Sequence, residues 1–247
     1  MVRTIGILSG KGGVGKTTVA VNLACSLGLL NKKVSLVDLN FTTSHLTMEF
    51  GIVPNKTLNN LLRNEASAEE ATYSCFNIRL IPASLSLSDL TGLDPLNIKS
   101  KLDEALSGSE IAILDSAPGF GREALASVQL SNEIIFVTNP NLTSVADIIK
   151  CKSLALKLGV SPLGVVVNKY RKKSFELSPD EITRISELPL LAVIKENENF
   201  LKCEAKGMPL LFYKRNEAEE FMKLACLITG TEYKKPAFFD RLLSKLV

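Results

Sequence analysis

The sequence predicts an α/β protein: a mostly parallel sheet of about seven to eight strands with helices on both faces, followed by a C-terminal amphipathic helix. Three observations predict it. Short apolar runs rich in Ile, Val and Leu recur along the 247 residues, stretches with helical spacing separate most of them, and a glycine-rich loop follows the first run. Apolar runs without polar alternation read as strands buried on both faces, and their alternation with helices implies right-handed βαβ crossovers.

Taken in order, the strand runs are residues 4–8, 34–37, 78–81, 111–114, 134–137, 163–167 and 190–194. Helical spacing covers residues 17–30, 96–106, 122–130, 145–158 and 217–228. Gly159 and Gly230 follow two of these helices, where a C-terminus favours a residue tolerant of positive φ. Ligands of such sheets bind beyond the carboxyl ends of the strands, so the residues just after each apolar run are the chemical candidates.

Composition narrows the class. With 46% apolar and 22% charged residues the chain is neither disordered nor collagen-like, and its 29 Lys and Arg against 26 Asp and Glu leave a net charge of +3. That balance argues for no particular partner. Cys25, Cys75, Cys151, Cys203 and Cys226 lie far apart without a CxxC pair, so buried reduced thiols are expected. No apolar run approaches the roughly 18 to 20 residues of a membrane span, and the opening breaks into glycine too early for a signal peptide. A cytoplasmic location is expected.

Directly after the first strand, Gly10, Lys11, Gly12, Gly13, Val14, Gly15, Lys16 and Thr17 fit GxxxxGK[ST] between a strand and a helix. The glycines let backbone N–H groups converge on phosphate oxygens, and the helix N-terminus adds partial positive charge. Lys16 then reaches the β and γ phosphates, and Thr17 ligates Mg²⁺. Lys11 is a second lysine in the loop. It is either a solvated surface residue or a cation that reaches the nucleotide of a second copy across a twofold axis.

The run from Lys11 to Thr17, with Thr18, resembles the deviant Walker A motif of the MinD and ParA family of P-loop ATPases. The resemblance extends along nearly the whole chain, through Asp115-Ser116-Ala117-Pro118-Gly119-Phe120-Gly121, Val137-Thr138-Asn139-Pro140, Val165-Val166-Val167-Asn168-Lys169 and Gly207-Met208-Pro209. It implies an ATPase domain over residues 1–233, with ATP and Mg²⁺ as cofactors. It also implies that Lys11 completes a partner's site in an ATP-dependent homodimer. Asp115, at a strand tip, suits the hydrated metal, and Gly119 permits rearrangement near the γ-phosphate. Asn168 suits the N6 and N7 edge of adenine. A guanine reader resembling NKxD wants an acid at position 171, where this chain has Arg171, so ATP is favoured over GTP.

Two departures from the family pattern stand out. The family usually has Asp-x-Asp after the second strand, and here the residues are Asp38-Leu39-Asn40. Asp38 remains for the Mg²⁺ and water network, whereas Asn40 has lost the charge at the position associated with the attacking water. Slow hydrolysis is expected, since a neutral carboxamide still orients water. Ile194-Lys195-Glu196 lacks the common middle proline, which loosens the expectation about base contacts.

Residues 234–247 form a distinct tail. At about 100° per residue, Phe238, Phe239, Leu242, Leu243, Leu246 and Val247 share one side of a helical wheel, opposite Asp240, Arg241, Ser244 and Lys245. Such a pattern fits either packing onto the body or insertion at a membrane surface. Lys234, Lys235, Arg241 and Lys245 outnumber Asp240, matching anionic headgroups. The placement also resembles the membrane-targeting helix of MinD-type members, which implies a peripheral position on the inner face of the cell membrane. One short tail binds weakly, because ordering it costs about 1 to 2 kcal/mol per residue. Two tails joined in a dimer raise avidity by roughly 10² to 10⁴. This reading implies an ATPase that positions other proteins, in cell division or at a pole, with an unidentified protein partner or activator.

The nearest alternative is a ParA-like partition ATPase binding DNA through Lys169, Arg171, Lys172 and Lys173. The low net charge and the unexplained tail weigh against nucleic acid. A nucleotide-binding scaffold with little catalysis is a third reading, kept open by Asn40. The sole histidine, His45, reads as a loop residue.

Overall fold

In the computed structural model residues 2–86, 89 and 94–234 are described. Their strands are β1 (Arg3–Leu8), β2 (Val34–Leu39), β3 (Tyr73–Cys75), β4 (Ile78–Ile81), β5 (Ile111–Ser116), β6 (Glu133–Thr138), β7 (Ser161–Tyr170) and β8 (Leu190–Lys195). They form one eight-stranded sheet in the order β3-β4-β2-β5-β1-β6-β7-β8, in which only β3 pairs antiparallel. All seven expected strands are present. β3 was not foreseen, because Tyr73-Ser74-Cys75 is too short and too polar to read as an apolar run. It is created by the turn at Phe76 and Asn77, both at positive φ, which folds β3 back on β4.

Helices α1 (Lys16–Leu29), α2 (Leu46–Glu49), α8 (Asn199–Lys206), α9 (Leu210–Tyr213) and α10 (Glu219–Thr229) supply one apolar layer. On the other face lie α3 (Leu58–Leu62), α4 (Lys99–Ala105), α5 (Arg122–Leu130), α6 (Leu142–Lys157) and α7 (Pro179–Ser186). Strand residues alternate between the layers as the two-residue period demands. Ile111 and Ile113 join the first, while Ala112 and Leu114 join the second. α1 is buried along nearly its whole length, which its apolar surround of Val19, Val21, Leu23, Leu27 and Leu29 requires.

The expectation that every strand is buried on both faces needs correction. β8 is an edge strand with Leu190 and Lys195 exposed, and β3 is the opposite edge. The helix expected over residues 96–106 opens as a 3₁₀ turn, Pro95–Asn97, because Pro95 sits at its first position behind the Asp94 cap. α2, α3, α7, α8 and α9 were not foreseen. Most are one or two turns long, too short to show a helical period, but α7 carries a full capping box from Ser178 and Glu181.

The glycines expected to end helices do so, with Gly159 at φ 74° and Gly230 at φ 67°. α2 and α8 meet through bare backbone: a Cβ at Gly207 would lie 2.4 Å from the Gly51 Cα. Arg3 at the start of β1 ion-pairs with Glu133 and donates from Nη1 to the Ile228 carbonyl at 2.7 Å, fastening the end of α10 to the sheet. The tail residues Phe238, Phe239, Leu242, Leu243, Leu246 and Val247 lie outside the described residues.

Candidate nucleotide-binding site

The loop between β1 and α1 lies at the carboxyl end of β1, which is paired with both β5 and β6. Its shape depends on residues that tolerate positive φ: Gly13 at 75° and Gly15 at 91°, the latter forming the N-cap of α1. Gly10 serves a different need, because a Cβ there would lie 2.3 Å from Cβ of Asp147. Gly12 and Lys11 are exposed, Val14 is buried, and Thr18 lines a cavity with Asn168.

Lys16, Thr17, Asp38 and Asp115 converge. Asp38 and Asp115 are in register on β2 and β5, and both are buried. Thr17 Oγ1 donates to Asp115 Oδ2 at 2.6 Å. Asp38 accepts from Ser44 Oγ at 2.6 Å and from the Asn40 backbone N–H at 2.9 Å. Burial, then the neighbouring Asp115, pushes the Asp38 carboxyl well above the usual carboxylate range. Burial also raises Asp115, opposed by Lys16 and by the Thr17 hydroxyl. Lys16 is pulled down by burial while both carboxylates hold it up.

Asp115 Oδ1 is buried without a hydrogen-bond partner among the described residues. An orphaned carboxylate oxygen beside a threonine hydroxyl and a second carboxylate fits a hydrated divalent cation, whose water shell satisfies it. Thr17, Asp38 and Asp115 are the residues that would hold Mg²⁺, and the ion would neutralise charge on the phosphates.

Asn168 and Asn40 depart from their expected postures. Asn168 lines a cavity of about 520 Å³ with Thr18, Lys195, Glu196 and Phe200, on the side where a base would lie. Its Nδ2, however, donates to the Val14 carbonyl at 2.8 Å, so part of the carboxamide serves the loop. Asn40 borders a cavity of about 860 Å³ with Thr43, Pro118 and Arg122. Its Nδ2 donates to the Thr43 carbonyl at 2.7 Å and its Oδ1 accepts from the Thr43 hydroxyl at 3.0 Å, which folds it onto its own turn. Gly119, at φ 81°, donates its N–H to the Ser9 carbonyl at 3.1 Å.

Two contributors, Ser9 and Ser44, went unnoticed in the sequence, and a third, Lys169, was read there for a different role. Ser9 Oγ donates to the Lys11 carbonyl, Ser44 holds Asp38, and Lys169 Nζ donates to the Gly13 carbonyl at 2.8 Å. Serines in loops carry no motif of their own, and Lys169 read as one cation in a basic cluster. Within that cluster Arg171 is paired with Glu176 and Glu196, so the surface is less basic than the sequence suggests. His45 is exposed and precedes α2 without a capping side-chain hydrogen bond. The cysteines are free thiols, four of them buried.

Residues 5–210 match the CobQ/CobB/MinD/ParA nucleotide binding domain. The chain belongs to this MinD/ParA family. Among solved structures it is similar to the cell division ATPase MinD of Pyrococcus furiosus. Identity there is 31% and the TM-score 0.88, over 93% of this chain and 99% of that one. It is similar also to the septum site-determining protein MinD of Pyrococcus horikoshii in complex with Mg-ADP. That match has 30% identity and a TM-score of 0.88, over 92% and 96% of the two chains. An uncharacterized ATP-binding protein of Methanocaldococcus jannaschii is 31% identical over 100% of this chain and 97% of its own. As a MinD/ParA-family ATPase, close to the MinD cell-division ATPases, the chain uses ATP and Mg²⁺. No helix among the described residues is long and apolar enough to cross a membrane.

Proposed function

We propose that this chain is a MinD-like ATPase that dimerises on binding ATP, with Lys11 completing the partner's site. In this reading the ATPase body is residues 1–233, and residues 234–247 bind an anionic membrane surface. The protein is cytoplasmic and peripheral to the inner face of the membrane. There it positions other proteins, and slow hydrolysis releases it.

One observation carries the reading. Beyond Gly230, which ends α10, the sequence places six apolar residues after Pro236 on one side of a helical wheel. With Lys234, Lys235, Arg241 and Lys245 beside them, that pattern suits an anionic lipid surface. Lys16, Thr17, Asp38, Asp115 and the loop from Gly10 to Thr18 take the nucleotide and its metal, and Asn168 borders the base.

Liposome co-sedimentation tests this, using anionic vesicles with ATP or ADP and comparing the full chain with one ending at Lys235. The expected result is sedimentation that requires both ATP and the tail. Binding indifferent to nucleotide and to the tail overturns the switch.

The second reading is a nucleotide-dependent scaffold with little turnover. Asn40 favours it, being neutral and tied to Thr43. A DNA-binding role draws less support, since Glu176 and Glu196 partly neutralise the cluster at Arg171.

A further inference from the structure

The end of β7 departs from a regular strand. Its pairing with β8 shifts register between Val167 and Tyr170, and Lys169 takes φ 57°, a left-handed conformation uncommon for a residue with a Cβ. In a regular strand Asn168 and Lys169 would point to opposite faces. The bulge re-aims them. Asn168 Nδ2 donates to the Val14 carbonyl and Lys169 Nζ to the Gly13 carbonyl, each at 2.8 Å. Consecutive residues of one strand thus hold consecutive carbonyls of the loop that leads into Lys16.

A trans peptide unit sets its C=O and N–H on opposite sides. Holding the Gly13 and Val14 carbonyls toward β7 therefore turns the N–H groups of Val14 and Gly15 away from it, the orientation an anion cradle needs. The two points differ in how rigidly they are built. Asn168 is buried, and a Cβ at Gly15 would lie 2.2 Å from its Nδ2. Lys169 is exposed, so its bond adds little to the stability of the fold.

We propose that Lys169 is a positioning residue for the nucleotide's phosphates, acting through the backbone of the loop rather than by touching the phosphates. Because it also borders the base cavity with Asn168, it links loop shape to the side of the site where the base lies.

The test measures Mg-ADP affinity by calorimetry and amide hydrogen exchange across residues 10–17, on the full chain carrying Lys169→Met or Lys169→Arg. Lys169→Met is expected to weaken ADP binding about tenfold, the effect of one charged hydrogen bond. It should speed exchange in the nucleotide-free loop and leave the melting temperature unchanged. Lys169→Arg, which still donates to a carbonyl, should restore both affinity and protection. Unchanged ADP affinity in Lys169→Met overturns the proposal. So does weakened affinity with unaltered loop exchange, which means direct contact with the nucleotide, and so does a general fall in melting temperature. A wild-type chain that fails to bind Mg-ADP would instead count against the nucleotide site itself.

Discussion

Asp38 and Asp115 face each other in register on adjacent parallel strands, both buried, with Lys16 as the cation that offsets them. Two carboxylates this close ionise together only when positive charge is supplied. The two carboxylates with one lysine leave the site short of cation, a deficit that a hydrated Mg²⁺ would offset.

Stability without nucleotide should fall as pH rises. A carboxyl whose pKa is raised on folding keeps its proton in the native state after the unfolded chain has lost it. Its contribution is present below the ordinary carboxylate range and lost as pH climbs through the raised value. Asp38 and Asp115 act in this sense, and so does Glu49, pushed up to about 7 by burial and by Glu204. Melting temperature is expected to drop between pH 5 and pH 8 by roughly 4 °C or more. Asp38→Asn should flatten that slope in scanning calorimetry.

Thr17→Ala removes the hydroxyl that donates to Asp115 Oδ2 at 2.6 Å. The Mg²⁺ dependence of ADP binding should weaken by about tenfold, the scale of a hydrogen bond to a charged group. Titrating Mg²⁺ at fixed ADP checks this, and Lys16→Ala should lose the nucleotide itself.

Gly15→Ala places a methyl 2.2 Å from Asn168 Nδ2 at φ 91°. The strained loop should cost about 1 to 3 kcal/mol of stability and abolish measurable Mg-ADP binding. Urea unfolding and calorimetry on the same variant separate the two effects.

Asn40→Asp restores a carboxylate where the family usually has one. Single-turnover hydrolysis should accelerate by about a hundredfold, the lower end of what a positioned base contributes. An unchanged rate would mean that water is oriented by another group.

Much of this architecture was legible. Unbroken apolar runs such as Ile134-Ile135-Phe136-Val137 read as strands, although the run over residues 190–194 lies at an edge, and GxxxxGK[ST] after such a run locates the loop without coordinates. β3 and the short helices were not legible, because three to five residues hold no period and their conformation comes from contacts with distant parts of the chain. The site divided along the same line. Asp38 and Asp115 sit near the ends of strands that patterning reveals and Lys16 and Thr17 open α1 within a recognisable motif, whereas Ser44 and Lys169 take their places through a turn and a bulge.

Gly51 and Gly207 touch with no side chain between them. One follows the helix just downstream of Asp38, and the other ends the helix whose Phe200 and Leu201 wall the cavity beside Asn168. Nothing soft lies at that junction to absorb a shift. A side chain at Gly207 would wedge the two helices apart, so this bare contact sets the spacing between the end of β2 and the cavity beside Asn168.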